Sequence, residues 1–290
     1  MSLSKLGHVF SKHFIDFKLP SDTKLTGKAL VSEVVQAAPT LYTSHQGRRA
    51  LFHLLVPRST RYFTPAQIAL LSQTDPIKKI TSKKDDAMRR EEILRAASKD
   101  LIDFITPIEM LEKLLRDPGG SLLITEILLH AEGGKHLSSN PHVPVQPLIS
   151  RFIDKSDAVD SLIGLVQEPY PSPDQHKPHI IDVPHSCRVY KTLLQGGHFS
   201  QQTKAVARST AFSPYNFAGM WLKKADKQNT RAIGLGGGAF VVAALYERIR
   251  DEGSEDEKAE LGSWFDSTFI DDLQNKETKG KAVLLDTLRC

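Results

Sequence analysis

Five short segments of the chain resemble one another, and that recurrence constrains the fold more than any other feature. They open at Gly47, Gly120, Ser186, Gly238 and Gly280, and each spans nine residues: 47–55, 120–128, 186–194, 238–246 and 280–288. Every one starts with a small residue and continues with apolar residues in helical register. A unit that recurs but cannot bury its apolar face alone implies a stacked solenoid. The spacing is irregular, so the likeness of the segments carries this inference and a fixed period does not.

The stretches between them also read as helices. Leu25, Ala29, Leu30, Val34 and Val35 recur at helical spacing, as do Ile93, Leu94, Ala97, Leu101, Ile102 and Ile105. Thr64-Pro65-Ala66-Gln67, Thr106-Pro107-Ile108-Glu109 and Ser254-Glu255-Asp256-Glu257 each place a hydroxyl three residues before Gln or Glu, the signature of a capped helix start. Asn-Gly and Asp-Gly, the strongest hairpin signals, do not occur. Runs such as Ile180-Ile181-Asp182-Val183 are too few to build a sheet. Eight of the sixteen prolines lie between Pro141 and Pro184 and mark two loops, 133–147 and 168–184, around a helical pair near 146–166. The expected fold is all-α, a solenoid of stacked helices.

With 40% hydrophobic and 25% charged residues among 290, the chain has enough apolar side chain for a sizeable core. Its longest nearly pure apolar stretch, 239–246, falls far short of the ~20 residues that span a bilayer. Lys5, Lys12 and Asp16 interrupt any signal-peptide core, so secretion is not expected. Two cysteines, Cys187 and Cys290, suit a reducing compartment. Net charge is only +4, but it is unevenly spread. From Arg48 to Arg90 ten Lys/Arg face Asp75, Asp85 and Asp86, a local balance of +7, whereas from Asp251 to Glu277 ten acids face Lys258 and Lys276, a balance of −8. A polyanion partner and a pair of solvated helix faces both account for such a distribution.

Four stretches carry a family resemblance: residues 47–57 (GRRALFHLLVP), 82–94 (SKKDDAMRREEIL), 185–197 (HSCRVYKTLLQGG) and 236–246 (GGGAFVVAALY). Together they resemble the C-terminal half of a divergent Pumilio-like (PUF) protein of the Penguin, or Puf-A, branch, with the CPL domain at about residues 85–225. That resemblance implies stacked three-helix repeats in one right-handed α-solenoid over residues 23–290, behind a poorly matched segment 1–22, binding to RNA (messenger or pre-ribosomal) or DNA, and a nuclear, largely nucleolar role in ribosome biogenesis or translational control. It also implies further repeats and a basic tail upstream. Residues 1–21 match these poorly, so the chain is expected to be an N-terminally truncated fragment or gene model.

Sequence-reading PUF repeats use three side chains of the second helix, two for the base edge and one for stacking. The edge places hold Arg48 and Phe52 after Gly47, Ser121 and Thr125 after Gly120, and Ala239 and Ala243 after Gly238. None of these pairs carries the Asn, Gln or Glu chemistry with which such a repeat discriminates bases. The repeat at Ser186 comes nearest, with Cys187, Arg188 and Lys191, yet Lys191 suits a phosphate better than a base. The expected mode is therefore sequence-independent binding by a monomer through Arg48, Arg49, Lys78, Lys79, Lys83, Lys84, Arg89, Arg90, Arg188 and Lys191. The lysine pairs are expected on a loop leading into a helix at 90–105. Asp85, Asp86, Glu91 and Glu92 offer these cations intrahelical partners instead. A protein-interaction scaffold that docks ribosomal or assembly proteins is the alternative.

Two motifs suggest other chemistry. Gly234-Leu235-Gly236-Gly237-Gly238-Ala239 satisfies the dinucleotide fingerprint, but no buried strand precedes it, and a close-packed repeat turn is the expected role. His176, His179, His185, Cys187 and His198 are dense without the paired close spacing of structural zinc. Cys187 lies on an apparent repeat helix with no nucleophile elbow in the chain. No enzyme, cofactor or metal is expected.

Overall fold

The computed structural model describes residues 29–81, 85–131, 155–174 and 176–289. These fall into two compact units, one comprising residues up to 105 with those from 126, the other comprising 106–125 and everything from 155 onward. The sequence suggested one continuous array from residue 23, of which residues 23–28 lie outside the described residues.

The first unit is built from α1 (Ser32–Gln36), α2 (Ala38–Leu41), α3 (His45–Leu55), α4 (Pro65–Ser72), α5 (Asp75–Thr81) and the long α6 (Asp86–Ile105). α6 begins earlier than the expected residue 90, and its buried stripe of Ile93, Leu94, Ala97, Leu101, Ile102 and Ile105 is the one the spacing marks. α1, α2 and α3 pack against it. Thr64 caps α4 in a full capping box with Gln67. Lys78 and Lys79 stand on α5 rather than on a loop. Asp75 and Pro76 open that helix with an acid and an imino acid in the first turn, where neither loses an intrahelical bond.

The second unit holds α7 (Ile108–Arg116), the first part of α8 (Pro118–His130), α9 (Ser156–Val166), a 3₁₀ turn (Ile180–Asp182) and α10 (Pro184–Gln195). It continues with β1 (Gly197–Ser200), β2 (Ala205–Arg208), α11 (Pro214–Lys224), α12 (Lys227–Leu235), α13 (Ala239–Glu252), α14 (Glu255–Trp264), α15 (Ser267–Asn275) and α16 (Lys281–Arg289). α10 packs on α13, and α13 on α16. Three of the five recurring segments are thus neighbouring helices stacked in chain order. Beneath them Tyr190, Phe217 and Trp221 are fully buried, with Trp221 edge-on to Tyr190 (centroids 5.9 Å apart). The Tyr190 hydroxyl donates to the Leu162 carbonyl at 2.8 Å, so this ring carries its polar end into the core satisfied.

At Gly47 and Gly120 the small residue that opens the segment has a steric cause. A Cβ on Gly47 would stand 2.3 Å from the Leu41 carbonyl oxygen and 2.8 Å from its Cα. On Gly120 it would stand 2.6 Å and 2.8 Å from the same atoms of Leu114. In both repeats the end of the first helix crosses the start of the second at backbone contact, and any side chain there would push the pair apart.

Two expectations are corrected. β1 and β2 form an antiparallel hairpin with Ser200 opposite Ala205. Its loop has four residues and closes on Lys204 at φ 54°, so the absence of the two-residue signals Asn-Gly and Asp-Gly did not exclude it. Thr106 is not a side-chain cap: α7 starts at Ile108, and the residue preceding it is Pro107, which has no side-chain oxygen to accept a bond. Among the described residues no helix is long and apolar enough to cross a membrane.

Candidate nucleic-acid interface

A base can be read only by side chains that reach solvent, and most of the edge-reading places do not. Phe52, Ser121, Thr125, Ala239 and Ala243 are all buried. Phe52 stacks on Tyr62 with centroids 3.9 Å apart. The Ser121 hydroxyl donates to the Pro118 carbonyl and that of Thr125 to the Ser121 carbonyl, each at 2.9 Å. These positions belong to the core.

In the first unit the arginines hold the helices together. Arg48 donates to the Tyr42 carbonyl at 3.0 Å. Arg49 donates to the Tyr62 carbonyl at 3.3 Å and to Gln46 Oε1 at 2.9 Å, and burial lowers its pKa. Arg89 is buried and ion-paired with Asp86 one turn earlier, while Arg90 donates to the Leu54 carbonyl. Arg58 forks onto Asp75 at 2.7 and 2.8 Å. Of the cations read from the sequence here, Lys79 is exposed. Lys83, Lys84 and the side chain of Lys78 lie outside the described residues. Arg61, not singled out from the sequence, is exposed as well.

The second unit presents its cations differently. Arg188 is exposed on α10 and makes no ion pair among the described residues. One turn on, Lys191 places its Nζ 4.9 Å from the ring centroid of the half-buried Phe240, the residue at the stacking place after Gly238. Lys204, exposed at the hairpin tip, bonds the neutral Gln201 at 3.2 Å and makes no ion pair among the described residues. Arg208 and Lys224 are held by Glu252 (3.2 Å) and Asp160 (2.6 Å). The signal that finds this surface is an absence. From Val183 to Ala225 the chain carries Arg188, Lys191, Lys204, Arg208, Lys223 and Lys224 and not one Asp or Glu. A search for excess base, which led to 48–90, passes over it because the cations are sparse. Burial pushes the Cys187 thiol pKa up, even beside Lys191 and Arg188, which suits a packed residue and not a nucleophile.

The model of the CPL (NUC119) domain family matches residues 43–204, more than half of the chain. The chain belongs to this family, in the Puf-A branch of the Pumilio-like proteins. The match begins before the region 85–225 read from the sequence and ends within it, at residue 204. Pumilio homolog 3 of Danio rerio is 25% identical over 275 residues, covering 94% of this chain and 38% of that protein. Pumilio homology domain family member 6 of Schizosaccharomyces pombe is 30% identical over 231 residues, 79% of this chain and 32% of that protein. The chain therefore spans about two fifths or less of the length of these relatives. Human Puf-A superposes with a TM-score of 0.68 at 22% identity, covering 92% of this chain and 45% of that one. A second crystal structure, of human Puf-A in complex with DNA, gives 0.65 at 20% identity, with 92% and 44% covered. The fold is thus that of a Puf-A-like helical-repeat protein.

Within this Puf-A-like chain the glycine run 234–238 begins in the last turn of a helix, α12, where a dinucleotide site needs a preceding strand. Its surroundings are already filled. The Gly237 N–H donates to the Tyr170 hydroxyl at 2.9 Å, which itself donates to Asp182 Oδ1 at 3.0 Å. A Cβ on Gly237 would stand 2.3 Å from that carboxylate oxygen. Asn229 fixes the arrangement by accepting from the Tyr170 N–H and donating to the Val166 and Glu168 carbonyls. The amide that would cradle a phosphate is used by the chain itself. His179 is likewise engaged, accepting at Nδ1 from the Ile181 N–H and facing the Glu168 carbonyl with Nε2 at 3.1 Å. Among the described residues no three His, Cys, Asp or Glu are grouped to hold a metal ion.

Proposed function

We propose that this chain binds nucleic acid, RNA foremost, by its phosphate backbone with little regard to sequence, and works as a non-enzymatic assembly factor in ribosome biogenesis or translational regulation within the nucleus and nucleolus. The observation that carries the binding mode is the contrast within the second unit: the edge-reading residues after Gly120 and Gly238 are buried, while Arg188 and Lys204 are exposed in a stretch without acids. Phosphate contacts supply affinity and register without base information, and cations not neutralised by a carboxylate are the ones available to make them. In the first unit Lys79 has the same character, and Lys78, Lys83 and Lys84 extend the basic run. Arg48, Arg49, Arg89 and Arg90 contribute through the fold. The crystal structure of human Puf-A with DNA, and the family membership, support nucleic acid as the partner class.

The acidic helices α14 and α15 expose Glu255, Asp256, Glu260, Asp271 and Asp272, a surface that repels phosphates and favours a basic protein. It supports a second contact with a ribosomal or assembly protein. Binding to naked RNA separates the two roles. Scrambled RNA of equal length should bind within about tenfold (~1.4 kcal/mol) of the original, and log affinity should fall linearly with log salt. Loss of all binding to naked RNA at low salt would leave only the scaffold role.

A further inference from the structure

We infer that the hairpin β1–β2 is an aromatic finger that stacks an unpaired base on Phe199, so that the second unit prefers single-stranded nucleic acid to duplex. The inference rests on the proposed backbone binding and adds to it a contact that backbone binding does not require. Phe199 is 49% exposed, and among the described residues it is the one aromatic side chain left that open; the other large exposed apolar side chains are Leu, Ile, Val and Met.

The ribbon is built to hold that ring out. α10 ends on Gly196 at φ 77°, and the Ser209 N–H donates back to the Gly196 carbonyl at 2.8 Å, closing the base of the hairpin. At the same level Arg208 is tied to Glu252. Cross-strand pairing sets Phe199 opposite Val206, and with a period of two Arg208 follows on the same face. The ring therefore lies between a half-buried aliphatic partner and the solvent, flanked by Arg208 at the base and Lys204 at the tip. An apolar protein partner would call for a wider patch than one ring among Ser200, Gln201, Gln202, Thr203 and Lys204. A nucleic acid strand calls for what is present: a flat ring with Lys204 at the tip and Arg208, shared with Glu252, at the base, in a stretch with no carboxylate of its own from 183 to 225. Every base has a face to stack, so this contact adds affinity without sequence preference. A duplex keeps its bases stacked on one another and offers none to Phe199.

The test compares the full chain with its Phe199→Ala, Phe199→Leu and Phe199→Trp variants. The probes are an oligouridylate of about 16 nucleotides, the same length as a duplex with oligoadenylate, and an abasic strand of equal charge. Phe199→Ala and Phe199→Leu should each loosen the oligouridylate about 5- to 150-fold, the range of one lost stack, and leave the duplex and the abasic strand unchanged. Phe199→Trp should restore wild-type affinity. Leucine keeps an apolar side chain on the ribbon but has no π-face, so its loss alongside tryptophan's recovery separates stacking from hairpin stability. Equal loosening of all three probes, or an unchanged oligouridylate affinity, would overturn the finger while the salt-dependent binding of the wild type still stood. No salt-dependent binding by the wild type would overturn both.

Discussion

Replacing Arg188, Lys191 and Lys204 together by Ala should flatten the salt dependence of RNA binding, whereas replacing Arg90 by Ala should lower stability and leave the slope alone. The three residues of the first set are on the second unit's surface with no carboxylate partner among the described residues. If each neutralises one phosphate, removing all three reduces the slope of log affinity against log salt by about 2.1 to 2.7, at ~0.7 to 0.9 per phosphate. Over a fourfold rise in salt the wild type should then lose about 20- to 40-fold more affinity than the triple variant. Arg90 is different because its guanidinium donates to Leu54, one of the last carbonyls of α3, which have no partner within the helix. Leaving such a group unmet costs about 1 to 3 kcal/mol, or roughly 2 to 12 °C in Tm for a protein of this size. Fluorescence anisotropy across a salt series, with a thermal melt for every variant, reads both quantities. A triple variant with the wild-type slope, or an Arg90→Ala chain of unchanged Tm and flattened slope, would refute the division between surface and structural cations.

Gly237→Ala should destabilise by about 1 to 3 kcal/mol through its contact with Asp182, and Asp182→Ala in the same chain should recover part of that loss, a coupling that a double-mutant cycle measures. The same site should be indifferent to nucleotides: a ligand at 100 times its dissociation constant adds ~2.7 kcal/mol, so millimolar NAD or ATP leaving Tm unmoved is the expected result, and the purified chain should carry no stoichiometric zinc. His179 predicts a pH effect. Burial lowers its pKa from the ordinary 6.5 by desolvating the charged ring, whose Nδ1 accepts from the Ile181 N–H. The unfolded chain therefore takes up a proton below pH 6.5 that the folded chain refuses, so stability is unaffected above that value and falls as pH drops beneath it. Urea unfolding at about pH 7.5 and about pH 5.5 should show the loss, and His179→Asn should reduce it. Gly47→Ala should lower Tm and helix content together, because its Cβ meets backbone atoms of Leu41 that have no rotamer to yield.

The fold was legible because the repeat signal and its cause are both local. A small residue followed by apolar positions at helical spacing can be read at Gly47, Gly120 and Gly238; at the first two one backbone crosses another, and at Gly238 a Cβ would meet the side chains of Ile233 and Ile181. Capping boxes at Thr64 and Ser254 are likewise four-residue facts. The hairpin was not legible, since a four-residue loop closed by a lysine at positive φ has no short signature. The site was legible only in part, and the reason is geometric. Sequence gives the number of cations but not what each one meets across the fold, and Arg48, Arg49 and Arg90 meet carbonyls of their own unit at 42, 62 and 54. An arginine near a helix end finds unpaired carbonyls to bond, so a basic run over short helices consumes its own charge. Acids consume it too, as Asp86 does for Arg89 and Asp75 for Arg58. What survives for an outside phosphate is set by the local shortage of acceptors more than by the abundance of donors. By that measure 183–225, with six cations and no carboxylate, outranks the denser 48–90, where ten cations share three acids and several helix ends.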